Sequence, residues 1–76
     1  MRIISQNGEY DFPYDMVVLR GTENAVYARV LTDMRDILIA VYDNEKEVHR
    51  QMDNAVNSNA LKRPYFQFPI SKELGH

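Results

Sequence analysis

Seventy-six residues, a net charge of −2 and no cysteine describe a single small domain, which can bury only about 60% of the surface its unfolded chain exposes. Disulfides and thiolate zinc ligands are excluded, and nothing signals an oxidising compartment. The longest apolar run, Ile37 to Tyr42, falls far short of the roughly 20 residues of a membrane helix, and no basic region followed by an apolar segment opens the chain. A cytoplasmic location and no membrane partner are therefore expected.

Charge is unevenly spread, with nine acids against five bases in residues 1–47 and two acids against four bases in 48–76. That imbalance is too slight to imply a polyanionic partner.

The opening MRIISQNGEYDF places Asn7-Gly8 between apolar stretches. Asn-Gly fits a two-residue type I′ hairpin, whose central positions both need φ > 0, and this register sets Ser5 against Tyr10 and Ile3 against Phe12. Pro13 lacks a ladder donor, so the strand is expected to stop there and turn through Tyr14 and Asp15. Met16 to Arg20 reads as a second strand, closed by Gly21 to Asn24. AVYARVLT sets Val26, Ala28 and Val30 on one face and Tyr27, Arg29 and Leu31 on the other, the alternation of a third strand. After a polar turn at Thr32 to Arg35, DILIAVY is apolar on both faces and predicts a central strand covered on both sides. Carboxylates in these turns, Asp11, Asp15, Asp33 and Asp36, are expected to bond to nearby backbone amides.

Asn44 is a good N-cap with Glu47 three residues on, as in a capping box. Val48, Met52, Ala55, Val56 and Ala60 then form one apolar stripe, which predicts a helix over about residues 45–60. Asn57, Ser58 and Asn59 weaken its end, while Lys62 and Arg63 suit the negative end of its dipole. PYFQFPI alternates again and predicts a last strand, followed by a frayed segment 71–76. The aromatic-x-Phe-Pro pattern thus occurs twice, at Tyr10 to Pro13 and Phe66 to Pro69. Both copies read as strand ends, with Phe12 and Phe68 substantially buried.

The expected architecture is a single α+β domain over 1–76, an antiparallel sheet of four to five strands with one helix packed on one face, in two layers. Because one helix covers one face and the Ile37–Tyr42 strand is apolar on two, the other must be covered by the C-terminal PYFQF segment, by strong coiling of the sheet or by another copy of the chain, and a homodimer is the expectation drawn from the area at stake.

Candidate chemistry is sparse. Glu45, His49 and Asp53 share a helix flank at metal-ligand spacing, but that flank is where solvated charge belongs, so no metal or other cofactor is expected. No glycine-rich loop precedes the helix, and no nucleophile sits in a sharp glycine-flanked turn, so the chain does not read as an enzyme. Lys62, Arg63 and Tyr65 together offer cations beside an aromatic, the ingredients of single-strand nucleic-acid contact, although net acidity argues against it. Tyr14 and Tyr65, with Lys62 and Arg63, are the residues expected to face a partner.

The opening MRIISQNG, the FPY step, ILIAVY leading into a charged capped helix and the terminal YFQFP together resemble a family of short uncharacterised proteins encoded in prophages and related mobile elements of Gram-positive bacteria. The helix departs from the family pattern in being Asn-rich from Asn54 to Asn59. The resemblance implies a cytoplasmic accessory protein acting through contacts with another protein, and it brings no catalytic residues with it. The competing expectation is a small nucleic-acid-binding accessory factor using Lys62, Arg63 and Tyr65.

Overall fold

The computed structural model describes residues 1–32 and 34–70; the expected fraying of 71–76 and the role of Asp33 lie outside the described residues. In chain order the elements are β1 (Arg2–Ile4), β2 (Asp11–Pro13), a 3-10 turn (Tyr14–Met16), β3 (Val17–Gly21), β4 (Ala25–Val30), β5 (Asp36–Val41), α1 (Glu45–Ala60) and β6 (Tyr65–Gln67). The chain is α+β with one helix, but the single sheet of four to five strands is replaced by two three-stranded sheets. These are ordered β2-β1-β6 and β3-β4-β5.

The division follows from Pro13, the last residue of β2, and from the 3-10 turn that redirects the chain into β3. β6 then returns to β1 in parallel, with Arg2 opposite Tyr65, Ile3 opposite Phe66 and Ile4 opposite Gln67. Parallel strands need a long crossover, supplied here by the whole β3-β4-β5 meander together with α1. The two aromatic-x-Phe-Pro segments therefore flank the same strand, and Ile3 faces Phe12 on one side and Phe66 on the other.

The hairpin register is as the sequence predicts, with Ser5 N–H donating to the Tyr10 carbonyl at 2.9 Å. The turn is not type I′. Gly8 has φ +78° while Asn7 keeps a negative φ, and the Gly8 N–H closes back on the Ser5 carbonyl. Side chains hold this wider loop: the buried Ser5 hydroxyl donates to Asn7 Oδ1 at 2.7 Å and accepts the Tyr10 N–H at 3.0 Å, and Asn7 Oδ1 also accepts the Glu9 N–H.

β5 is not central; it is the outer strand of its sheet. Its register jumps, Val26 facing Ala40 and Tyr27 facing Leu38, which leaves Ile39 as the extra residue of a bulge. The bulge switches the phase of the alternation, so Ile39, Ala40 and Tyr42 are all buried. Part of what reads in sequence as a second apolar face is the inner face continued through this phase change. Leu38 and Val41, 48% and 43% exposed, are what the outer face retains.

Gln6 covers the outer edge of β5 at the bulge. Its N–H donates to the Ile39 carbonyl at 2.8 Å. Its side-chain Oε1 accepts the Val41 N–H, and its Nε2 donates to the carbonyls of Val41 and Pro69. One residue from the first hairpin thus continues the ladder of the second sheet and ties in the segment after β6. Tyr42 joins this seam by donating its hydroxyl to the Pro69 carbonyl at 2.8 Å. Burial, and secondarily the charge of Glu47, raise the Tyr42 pKa well above its ordinary 10.0. A folded pKa above the unfolded one gives a contribution that is complete below about pH 10 and is lost as pH rises further. Tyr42→Phe is accordingly expected to shrink the fall in urea midpoint between about pH 9 and pH 11.

α1 spans Glu45–Ala60 as predicted, and the Asn44 side chain accepts the Glu47 N–H at 2.8 Å. The helix packs on β3, β4 and β6, where Val48 and Ala55 join Ile3, Val26, Ala28 and Phe68 in the core. The apolar stripe is shorter than its pattern suggests: Val56 and Ala60 are exposed, and Gln51 is buried in line with Val48 and Ala55, donating to Glu47 at 2.8 Å. Gly21 sets the approach of α1 to β3, since a Cβ there would lie 2.9 Å from Val48 Cγ1 and 2.6 Å from Met52 Sδ. Gly21→Ala should lower stability by about 1–2 kcal/mol in urea unfolding, because the branched Val48 is pinned in the core and has little room to move.

Candidate functional site

α1 ends in a Schellman stop. The Lys62 N–H donates to the Asn59 carbonyl and the Arg63 N–H to that of Ser58, both at 3.0 Å, with Lys62 at φ +59°. Glycine usually takes this left-handed position. Lys62→Gly should therefore raise stability by about 0.5–1 kcal/mol, read as a higher urea midpoint. The stop turns the chain sharply, so that Arg63 and Pro64 lead directly into β6 beside the last turns of the helix they have just left.

Between these two elements lies an open groove of about 770 Å³. Asn54, Asn57, Ser58 and Leu61 wall it on the helix side, and residues 63–67 on the other. β6 is the outer strand of its sheet, and its ladder determines which backbone groups remain free. Arg2 donates to the Pro64 carbonyl and Phe68 to the Ile4 carbonyl, so Pro64, Phe66 and Phe68 turn their backbone groups toward β1. Tyr65 and Gln67 must then point theirs away from β1, and these have no protein partner among the described residues.

Two of the residues expected to face a partner, Arg63 and Tyr65, line this groove. Lys62 is exposed in the turn at its end. Tyr14 lies elsewhere, half-buried in the 3-10 turn after β2, at the opposite edge of the sheet, with its N–H bonded to the Met1 carbonyl. Sequence reasoning missed the helix wall. Asn54 to Asn59 reads as a poor helix end, yet its amides and Ser58 are what the groove presents, and Asn54 donates to Gln51 as the end of a side-chain chain running back to Glu47.

Glu45, His49 and Asp53 are all exposed. Among the described residues no group of three or more histidine, cysteine or carboxylate side chains is placed to hold a metal ion.

The outer face of β3-β4-β5 carries a separate polar cluster. The partners of the Asp36 carboxylate among the described residues are arginines rather than turn amides: Arg29 reaches it at 3.0 Å and Arg20 at 3.1 Å, while the Arg20 guanidinium also lies 5.1 Å from the Tyr27 ring centroid. The hydrogen bond from Arg29, followed by the contact with Arg20, holds the Asp36 carboxyl below its usual range, and Asp36 in turn raises Arg29. The sign is that of a depressed acid, a contribution present at neutral pH and lost on acidification, and its exposure keeps it small. Asp11 likewise pairs with a side chain, Arg2, at 2.8 Å.

No helix of the described chain is long and apolar enough to cross a membrane. No protein-family model, no curated protein and no solved structure matches the chain.

Proposed function

We propose that this chain is a non-catalytic protein-interaction module, an accessory protein of a prophage or related mobile element that works in the cytoplasm. The observation that carries the interaction reading is the outer edge of β6, whose Tyr65 and Gln67 backbone groups have no partner among the described residues and lie beside an open groove. Free ladder groups of this kind are what an added polypeptide strand satisfies. The mobile-element setting rests on the resemblance of MRIISQNG, FPY and the segment leading into the capped helix. Affinity capture from a Gram-positive host, with and without induction of the element, should retain one protein reproducibly. Failure to retain any would remove the reading.

A second reading is favoured by Arg63 and Tyr65 lining one groove: a nucleic-acid-binding accessory factor that uses Lys62 and Arg63 on phosphates and Tyr65 to stack on an unpaired base. It requires salt-dependent retention on a single-stranded DNA column at physiological ionic strength.

A further inference from the structure

The groove between α1 and β6 also constrains what would occupy it. We infer that it takes a single extended peptide carrying an acidic side chain, added as a strand to β6 with its carboxylate at Arg63; the inference rests on the interaction reading above.

Three observations support this occupant. The outward groups of Tyr65 and Gln67 repeat two residues apart, so they match the alternate residues of an extended chain. The groove has a wall on its far side, formed by Asn54, Asn57 and Leu61, which leaves space for one chain and obstructs the edge of another folded sheet. Among the described residues its lining contains a single ionic group, Arg63, which makes no ion pair with any of them, and no carboxylate. In a chain of net charge −2, this is a local cationic end of a neutral, amide-rich channel. A peptide carboxylate meets it with the bidentate geometry that guanidinium offers. Tyr65, 56% exposed, and Leu61, 67% exposed, supply apolar contact along the channel. A nucleic-acid strand would satisfy Arg63 but not the alternating donors and acceptors of β6.

The test is selection of random heptapeptides, displayed on phage, against the immobilised full chain, followed by titration of the best synthetic peptide. Enriched sequences should share an Asp or Glu at one fixed position. Gln67→Pro, which removes one outward N–H without touching the bonds to β1, should weaken binding about tenfold more than Gln67→Ala, which keeps it. Arg63→Glu, a change at an exposed position whose fold circular dichroism checks, should abolish selection of acidic peptides and favour peptides with Lys or Arg at the same position. The inference is overturned if no peptide is enriched, if enriched peptides lack the acidic position, or if Arg63→Glu leaves the preference unchanged. It is also overturned if an oligo-dT 12-mer binds more tightly than any peptide, or if light scattering shows a dimer that Gln67→Pro dissociates. A cellular partner captured by the wild type and equally by Arg63→Glu would leave the module reading standing while removing this one.

Discussion

Phe68→Ala is expected to lower the stability of the fold by about 3–5 kcal/mol, the largest effect of any single truncation in this chain. Phe68 is fully buried and is the largest side chain to be so. Its ring meets Phe66 edge-on at a centroid distance of 5.0 Å. Its N–H anchors the segment after β6 to Ile4, and the next residue, Pro69, receives bonds from both Gln6 and Tyr42. A cavity here would open between the two sheets and beneath the seam that joins them, where collapse would have to move backbone. Urea unfolding of the variant measures the loss, and a change below about 1 kcal/mol would mean that the ring is exposed in solution. Phe12, the corresponding residue of the other aromatic-x-Phe-Pro segment, is only partly buried and stacks on Tyr10 at 5.9 Å; its truncation should cost less.

Gln6→Ala should follow, at about 2–4 kcal/mol. Three side-chain hydrogen bonds are lost, each contributing about 1 kcal/mol net, and two carbonyls and an N–H are left to find other partners. Substitution by Glu tests the geometry further, because a carboxylate can still accept from Val41 N–H but cannot donate to Val41 or Pro69. Gln6→Glu should therefore recover only part of the loss. Equal stability of Gln6→Ala and the wild type would mean that solvent replaces the clasp without cost.

The parts of the fold legible in sequence are those fixed by neighbours a few residues apart. Asn44 and Glu47 placed the start of α1, and Asn7-Gly8 placed the first hairpin. The turn type was missed because Ser5 and Asn7 side chains, rather than backbone preference alone, hold the loop. The division into two sheets was missed because, although Pro13 was legible as a strand end, the parallel pairing of β1 with the distant β6 leaves no periodic signal, and neither does the bulge at Ile39 that moves β5 to an outer position. At the groove, Arg63 and Tyr65 were legible as a cation beside an aromatic. Asn54, Asn57 and Ser58 were not, since a polar run at a helix end reads the same whether it faces solvent or another strand. The left-handed Lys62 was equally silent, glycine being the residue expected there.

The parallel pairing of β1 with β6 has a consequence for synthesis. β1 leaves the ribosome early, pairs with β2, and keeps its other edge open until translation delivers β6. At about 5–20 residues per second this leaves a nascent hairpin with an unpaired apolar strand for several seconds. Phe68 and the Pro69 carbonyl arrive with the same last segment, so both the core and the seam close late, after the longest loop has formed. Folding of this chain is thereby expected to near completion only once β6 has cleared the exit tunnel, with the β1 edge open until then.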